Sequence, residues 1–144
     1  MSLALRETVA ELSRLNHAVG EQVELNAIDL TCLDLLGRLG PMGPRALAER
    51  AHVHPATMTG VVDRLERGGW IERSPDPDDR RRVVLRVDRR AGAQIVRAYA
   101  PMNKALTQIL SSYSVDQLET MLAFLTAARD AGHDVTTELT RTEP

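Results

Sequence analysis

The sequence predicts a single, mainly α-helical domain that carries one small β-hairpin, an α+β arrangement of six helices and two strands. Three observations predict it. Apolar residues recur every three or four positions over most of the chain, two short runs rich in β-branched residues stand in its middle, and the length of 144 residues suits one domain. With 43% hydrophobic and 26% charged residues, the chain has neither the charge excess of a disordered segment nor the apolar run of a membrane span. The stretch Met1 to Val19 carries Arg6, Glu7, Glu11 and Arg14, so it lacks the unbroken apolar centre of a secretory signal, and a cytoplasmic location is expected. A lone cysteine, Cys32, cannot form an internal disulfide and agrees with a reducing compartment.

The elements follow in order. Leu5, Val9, Leu12, Leu15 and Val19 form the stripe of an amphipathic helix from about Leu3 to Val19. The polar stretch Gly20 to Asn26 separates it from a second helix carrying Ile28, Leu30, Leu33, Leu35, Leu36 and Leu39. Thr31 and Asp34 have capping-box spacing there, and Gly40-Pro41 is the stop. Pro44 suits the first turn of a short third helix ending near Ala51, because its missing N–H would have no partner there. Pro55 repeats that signal for a fourth helix with Met58, Val61, Val62 and Leu65, closed by Gly68-Gly69 as a left-handed stop. Trp70 to Ser74 and Val83 to Val87 read as strands around the turn chemistry of Pro75-Asp76-Pro77-Asp78-Asp79. The helical period returns from about Arg89 through Ile95, Tyr99, Met102, Leu106 and Ile109, with Pro101 expected to kink or split the helix. Ser114-Val115-Asp116-Gln117 is a capping box heading a last helix with Leu118, Met121, Leu122 and Leu125, expected to fray from about Thr136.

Two short helices joined near His52-Val53-His54, the second followed at once by a hairpin, make a winged helix-turn-helix layout, in which the second helix enters a DNA major groove. Charge supports this. The net charge is −2, but residues 41–90 hold 11 Arg against 8 acids, a local +3, and the remainder holds 6 Arg and 1 Lys against 12 acids, a local −5. The hairpin loop ends in Arg80-Arg81-Arg82, with Arg86, Arg89 and Arg90 close behind, and arginine suits both phosphate and a narrow minor groove. On the fourth helix, Met58, Val61, Val62 and Leu65 should pack inward. That leaves Ala56, Thr59, Gly60, Asp63 and Arg67 outward, with Thr57 and Arg64 on the flank. Small outward residues suit a helix that must fit a groove about 12 Å wide. Thr59-Gly60 costs helix stability without a visible packing gain.

The runs Arg45-Ala46-Leu47-Ala48-Glu49-Arg50, His54-Pro55-Ala56-Thr57-Met58-Thr59-Gly60-Val61-Val62-Asp63-Arg64-Leu65-Glu66-Arg67-Gly68-Gly69-Trp70-Ile71-Glu72-Arg73 and Asp76-Pro77-Asp78-Asp79-Arg80-Arg81-Arg82 strongly resemble the MarR family of bacterial transcription regulators. The helix order matches over nearly the whole chain. The family's wing pattern is Asp, any residue, Arg, then five residues to a Leu-Thr pair. Asp79 and Arg81 match it, while Val87-Asp88 replaces the pair and alters only how the hairpin joins the fifth helix.

The resemblance implies one MarR-like domain over residues 1–144. Residues 28–88 would form the DNA-binding winged region, and helices in 1–25 and 89–140 would intertwine in a homodimer on a pseudo-palindromic double-stranded DNA operator. It implies that Arg81 is the minor-groove arginine at the wing tip, held by Asp79, and that Ala56, Thr57, Thr59 and Gly60 approach the bases. His54 stands where relatives carry a serine cap. Arg45, Arg64 and Arg73 are phosphate partners in this reading, with Arg80 and Arg82 in support. The family also implies a small-molecule effector, a phenolic or other aromatic anion. The chain has few aromatics (Trp70, Tyr99, Tyr113 and Phe124), so an aromatic-stacking pocket is not evident. Tyr99 and Tyr113 are expected in the dimer core.

Other readings weigh less. Cys32 within an apolar stretch reads as a small buried hydrophobe rather than a redox sensor. His52 and His54 could chelate a metal with His17 or His133, but no ligand-spaced cluster supports that, and neither metal nor cofactor is expected. No phosphate-cradling glycine loop, nucleophile elbow or His-Glu-x-x-His helix points to an enzyme. The serious alternative is a winged helix that binds protein, its hairpin arginines pairing with acids on a partner.

Overall fold

The computed structural model describes residues 2–77, 79 and 81–141. Its order is α1 (Ser2–Val23), α2 (Ala27–Leu39), α3 (Pro44–Ala51), α4 (Pro55–Arg67), β1 (Ile71–Pro75), β2 (Val83–Val87), α5 (Arg89–Leu110) and α6 (Val115–Arg141). The chain forms two compact units, one up to Ala100 and one from Pro101 onward.

Helix α1 runs four residues past its apolar stripe, to Val23. Gly20 does not break it. Glu24 takes the left-handed conformation (φ 58°), and the Leu25 N–H donates to the Gly20 carbonyl at 2.8 Å, which together close the helix end. A Cβ on Gly20 would lie 2.4 Å from the Leu25 carbonyl oxygen, so the glycine serves close approach rather than termination. The start of α2 also differs from expectation. The capping box is Asn26 with Asp29: the Asp29 N–H donates to Asn26 Oδ1 at 2.9 Å and the Asn26 N–H to Asp29 Oδ2 at 3.2 Å. Thr31 instead lies inside the helix, its hydroxyl donating to the Ala27 carbonyl.

Pro44 and Pro55 open α3 and α4 as expected. At the turn between them His52 is left-handed (φ 51°), and the Val53 N–H donates to the Ala48 carbonyl at 3.0 Å. The same closure ends α4, where Gly69 (φ 72°) lets the Trp70 N–H reach the Leu65 carbonyl at 2.9 Å. The strands pair antiparallel from Ile71 opposite Val87 to Pro75 opposite Val83. Met42 adds a bridge on the other edge of β2, exchanging backbone hydrogen bonds with Leu85 at 2.8 and 3.3 Å. Leu47, Leu65 and Leu85 are 0% exposed and Met58 is 1% exposed, and they form one core with Cys32, Leu33, Leu36, Val61, Val62 and Ile71. Each such side chain stabilises the fold by about 1.5–3 kcal/mol.

Asp88 caps α5. Its Oδ1 accepts from the Arg90 N–H at 2.8 Å and the Ala91 N–H at 3.0 Å, and the Ala91 bond, the stronger influence, holds the carboxyl below its usual range. Asp and Thr are both good caps, so the departure from the wing pattern preserves this chemistry. Helix α5 continues through Pro101 unsplit. In α6 the Ser114 N–H donates to Gln117 Oε1 and the Gln117 N–H to Ser114 Oγ, which bears out the capping box. The helix persists past Thr136 to Arg141 rather than fraying. Among the described residues no helix is long and apolar enough to cross a membrane.

Candidate nucleic-acid interface

Helix α4 divides as its spacing requires. Met58, Val61, Val62 and Leu65 are buried, Ala56, Thr57, Thr59, Gly60, Arg64 and Arg67 are exposed, and Asp63 is half-buried. A Cβ on Gly60 would meet nothing within 4 Å, so no packing requires glycine there. The Thr59 hydroxyl donates to the Pro55 carbonyl at 3.3 Å, which leaves its oxygen able to accept. His54 caps the helix: its Nδ1 accepts from the Ala56 N–H at 3.2 Å. An imidazole accepting at Nδ1 carries its proton on Nε2, so His54 offers an N–H donor at the head of α4.

The wing is shaped by its own acids. The Asp76 N–H donates to the Arg82 carbonyl at 2.9 Å, and the Arg82 N–H donates to the Asp79 carbonyl at 2.8 Å. The Asp79 carboxylate accepts from the backbone N–H of Arg81 at 3.0 Å and faces Arg82 Nε at 3.5 Å. Asp79 therefore orders the turn under Arg81 while its side-chain partner is Arg82. Among the described residues no hydrogen bond or ion pair engages the exposed Arg81 guanidinium, which is available to a ligand. Arg80 lies outside the described residues.

The other arginines separate by what already holds them. Arg45 is 90% exposed and, among the described residues, makes a surface pair with Glu49 at 3.1 Å, worth little in water. Arg73, on β1, pairs with Asp63 and, at 2.8 Å, with Glu66, both on α4. Arg64 donates through Nε (3.1 Å) and Nη2 (2.6 Å) to Asp29, whose side chain is 1% exposed. Asp29 is the residue that sequence reasoning missed. It lies 35 positions from Arg64, and nothing in the local pattern announces the pair.

Cys32 is 0% exposed, and burial, with the Asp29 carboxylate second, pushes its thiol up to about 11. It is therefore protonated at neutral pH, the wrong state for a reactive thiol. His52 and His54 flank the turn, but among the described residues no three His, Cys, Asp or Glu side chains gather as a metal site. The described surface of α3 and α4 also holds an open groove lined by Pro44, Arg45, Glu49, Pro55, Met58 and Thr59.

Comparison with known proteins agrees with this layout. Residues 25–83 match the model of the MarR family. The chain is 30% identical to the uncharacterised HTH-type transcriptional regulator YcgE of Bacillus subtilis over 115 residues, covering 80% of this chain and 75% of that one. Among solved structures, a MepR point mutant from a Staphylococcus aureus clinical isolate superposes with a TM-score of 0.73 at 19% identity, covering 90% of this chain and 95% of that one. Another MepR mutant, bound to an oligodeoxyribonucleotide, superposes with a TM-score of 0.62 at 22% identity, covering 90% and 96%. The shared fold is the winged helix-turn-helix, and the chain belongs to the MarR family of helix-turn-helix transcriptional regulators.

Proposed function

We propose that this chain is a sequence-specific transcriptional repressor that binds a pseudo-palindromic operator as a homodimer and releases it when a small molecule binds. The observation that carries the reading is the pairing of a small-faced, exposed strip on α4 with a wing arginine unengaged among the described residues, both inside the basic segment 41–90 of a net-acidic chain. Residues 28–88 form the reading region in this proposal, and helices in 1–25 and 89–140 supply the dimer contacts. The reading is of a regulator, not an enzyme, on the relatives' description as transcriptional regulators.

Helix α4 enters the major groove with Ala56, Thr57, Thr59 and Gly60 near the base edges, where a threonine can hydrogen-bond a base or press its methyl on thymine. Arg81 reaches the minor groove beside it. His54 offers its Nε2–H to the backbone, and Arg45, Arg80 and Arg82 add positive charge along the phosphates. Two copies set about one helical turn apart, roughly 34 Å, would read the two half-sites. The effector acts by population shift, favouring another spacing of the two α4 helices, so that DNA affinity falls by its differential binding energy. Support for a DNA partner comes from the DNA-bound MepR neighbour of the same fold.

The test is binding of the full chain to pooled random duplex DNA across a salt series. The expected result is measurable affinity at low salt that falls linearly on a log–log plot, with a slope set by the phosphates contacted. No binding even at low salt would overturn the reading in favour of a protein partner for the wing arginines.

A further inference from the structure

Apolar packing decides that α4 docks through the face of Met58, Val61, Val62 and Leu65, but it fixes the helix rotation poorly, because these contacts are non-directional. At about 100° per residue, the inward face leaves two flanks, one holding Thr57 and Arg64 and the other Asp63 and Glu66. Both flanks are held ionically. Arg73 on β1 grips Asp63 and Glu66, and Asp29 on α2 grips Arg64. Between them lies the exposed strip with Ala56, Gly60 and Arg67.

We propose that Asp29 is a positioning residue for DNA reading: its buried carboxylate holds the Arg64 guanidinium and so sets the rotation of α4 at which the outward strip meets the bases. The proposal rests on the DNA-reading function above. Asp29 is tied to α2 by its capping box as well as to α4, with Oδ2 accepting from both the Asn26 N–H and Arg64 Nε and Oδ1 accepting from Arg64 Nη2. A two-point grip of this kind specifies direction, whereas an ion pair whose arginine is 46% exposed adds little net stability. Direction matters here. A rotation of about 20° moves a side-chain atom about 5 Å from the helix axis by about 2 Å, more than a hydrogen bond to a base edge tolerates.

The experiment compares the full chain with its Asp29→Asn variant on two probes: duplex enriched by the unaltered chain from a random-sequence library, and the pooled random duplex. Asparagine keeps the shape and one acceptor but removes the charge that holds Arg64. The expected result is a fall of about tenfold in the ratio of the two affinities, the size of one lost base contact, with most of the loss on the enriched duplex. Equal fold-losses on both probes, which leave the ratio unchanged, overturn the proposal by showing a merely structural role, and unaltered affinity for both probes overturns it as well. Arg64→Lys keeps the charge but not the fork, and it carries the test if Asp29→Asn does not fold: the ratio should fall again, and an unchanged ratio contradicts the proposal. If the unaltered chain binds no DNA, the functional reading fails first and this one with it. If it enriches a sequence that Asp29→Asn reads equally well, only the positioning role fails.

Discussion

The region from α2 to β2 and the long helix α6 both carry apolar residues at helical spacing, yet the first buries most of them and the second leaves much of its stripe exposed. In the first, Leu36, Leu47, Leu65 and Leu85 are 3% exposed or less. In α6, Leu122 and Leu125 are 65% and 58% exposed, while Leu118 and Met121 of the same stripe are half-buried. The difference shows that periodicity reports an apolar face but not what covers it. The α2 to β2 region closes its core within one chain and adds directional ion pairs at its rim. The stripe on α6 is the kind of surface that a second copy covers in the proposed dimer, since exposed apolar patches of this kind mark interaction surfaces.

The largest expected effect contrasts these regions directly. Leu65→Ala should lower stability in urea by about 3 kcal/mol at every protein concentration. Leu125→Ala should change unfolding only where dimer dissociation contributes, as a midpoint that shifts with concentration. Equal, concentration-independent losses would erase the contrast. Next, Arg81→Ala should cost about 1–3 kcal/mol of operator binding in a fluorescence anisotropy titration while leaving the urea midpoint unchanged. A loss of stability in parallel would mean that the wing tip is part of the fold rather than of the reading surface.

Glycine gives a finer contrast. Gly20→Ala forces a Cβ against the Leu25 carbonyl and should destabilise by about 1–3 kcal/mol. Gly132→Ala in α6 meets nothing within 4 Å and should stabilise by about 0.5–1 kcal/mol. The two thermal melts should move in opposite directions. The smallest effect concerns Cys32. Its thiol is raised to about 11 in the folded chain, so its contribution is complete below the ordinary thiol range and fades as pH rises through about 11. Alkylation at pH 8 should therefore be slow in the native protein and fast in urea; rapid native alkylation would contradict the burial.

Much of the fold was legible because local chemistry and tertiary packing agree there. Pro44 and Pro55 mark the starts of α3 and α4, Ser114 with Gln117 marks α6, and Val83–Val87 forms β2 as its composition predicts. The errors fall where two local signals compete. Thr31 with Asp34 has the same spacing as Asn26 with Asp29, and the earlier box prevails because it starts α2 where Leu30 is already buried. Gly20 resembles a helix stop, but the left-handed residue is Glu24. The Met42 bridge left no trace because Pro41-Met42-Gly43 has no strand alternation. For the candidate site, the faces of α4 were readable from helical angle alone. The engagement of Arg64 and Arg73 was not, since both partners are set by packing between elements.

If the exposed strip of α4 is shaped for a groove, Gly60 is where that shape shows, because a Cβ there meets nothing within 4 Å among the described residues. One preparation of Gly60→Ala, measured for both thermal stability and affinity for the enriched duplex, should melt higher by the equivalent of about 0.5–1 kcal/mol and bind the duplex more weakly. A variant that is more stable and binds DNA as well as the unaltered chain would show that α4 needs no small residue there to enter a groove.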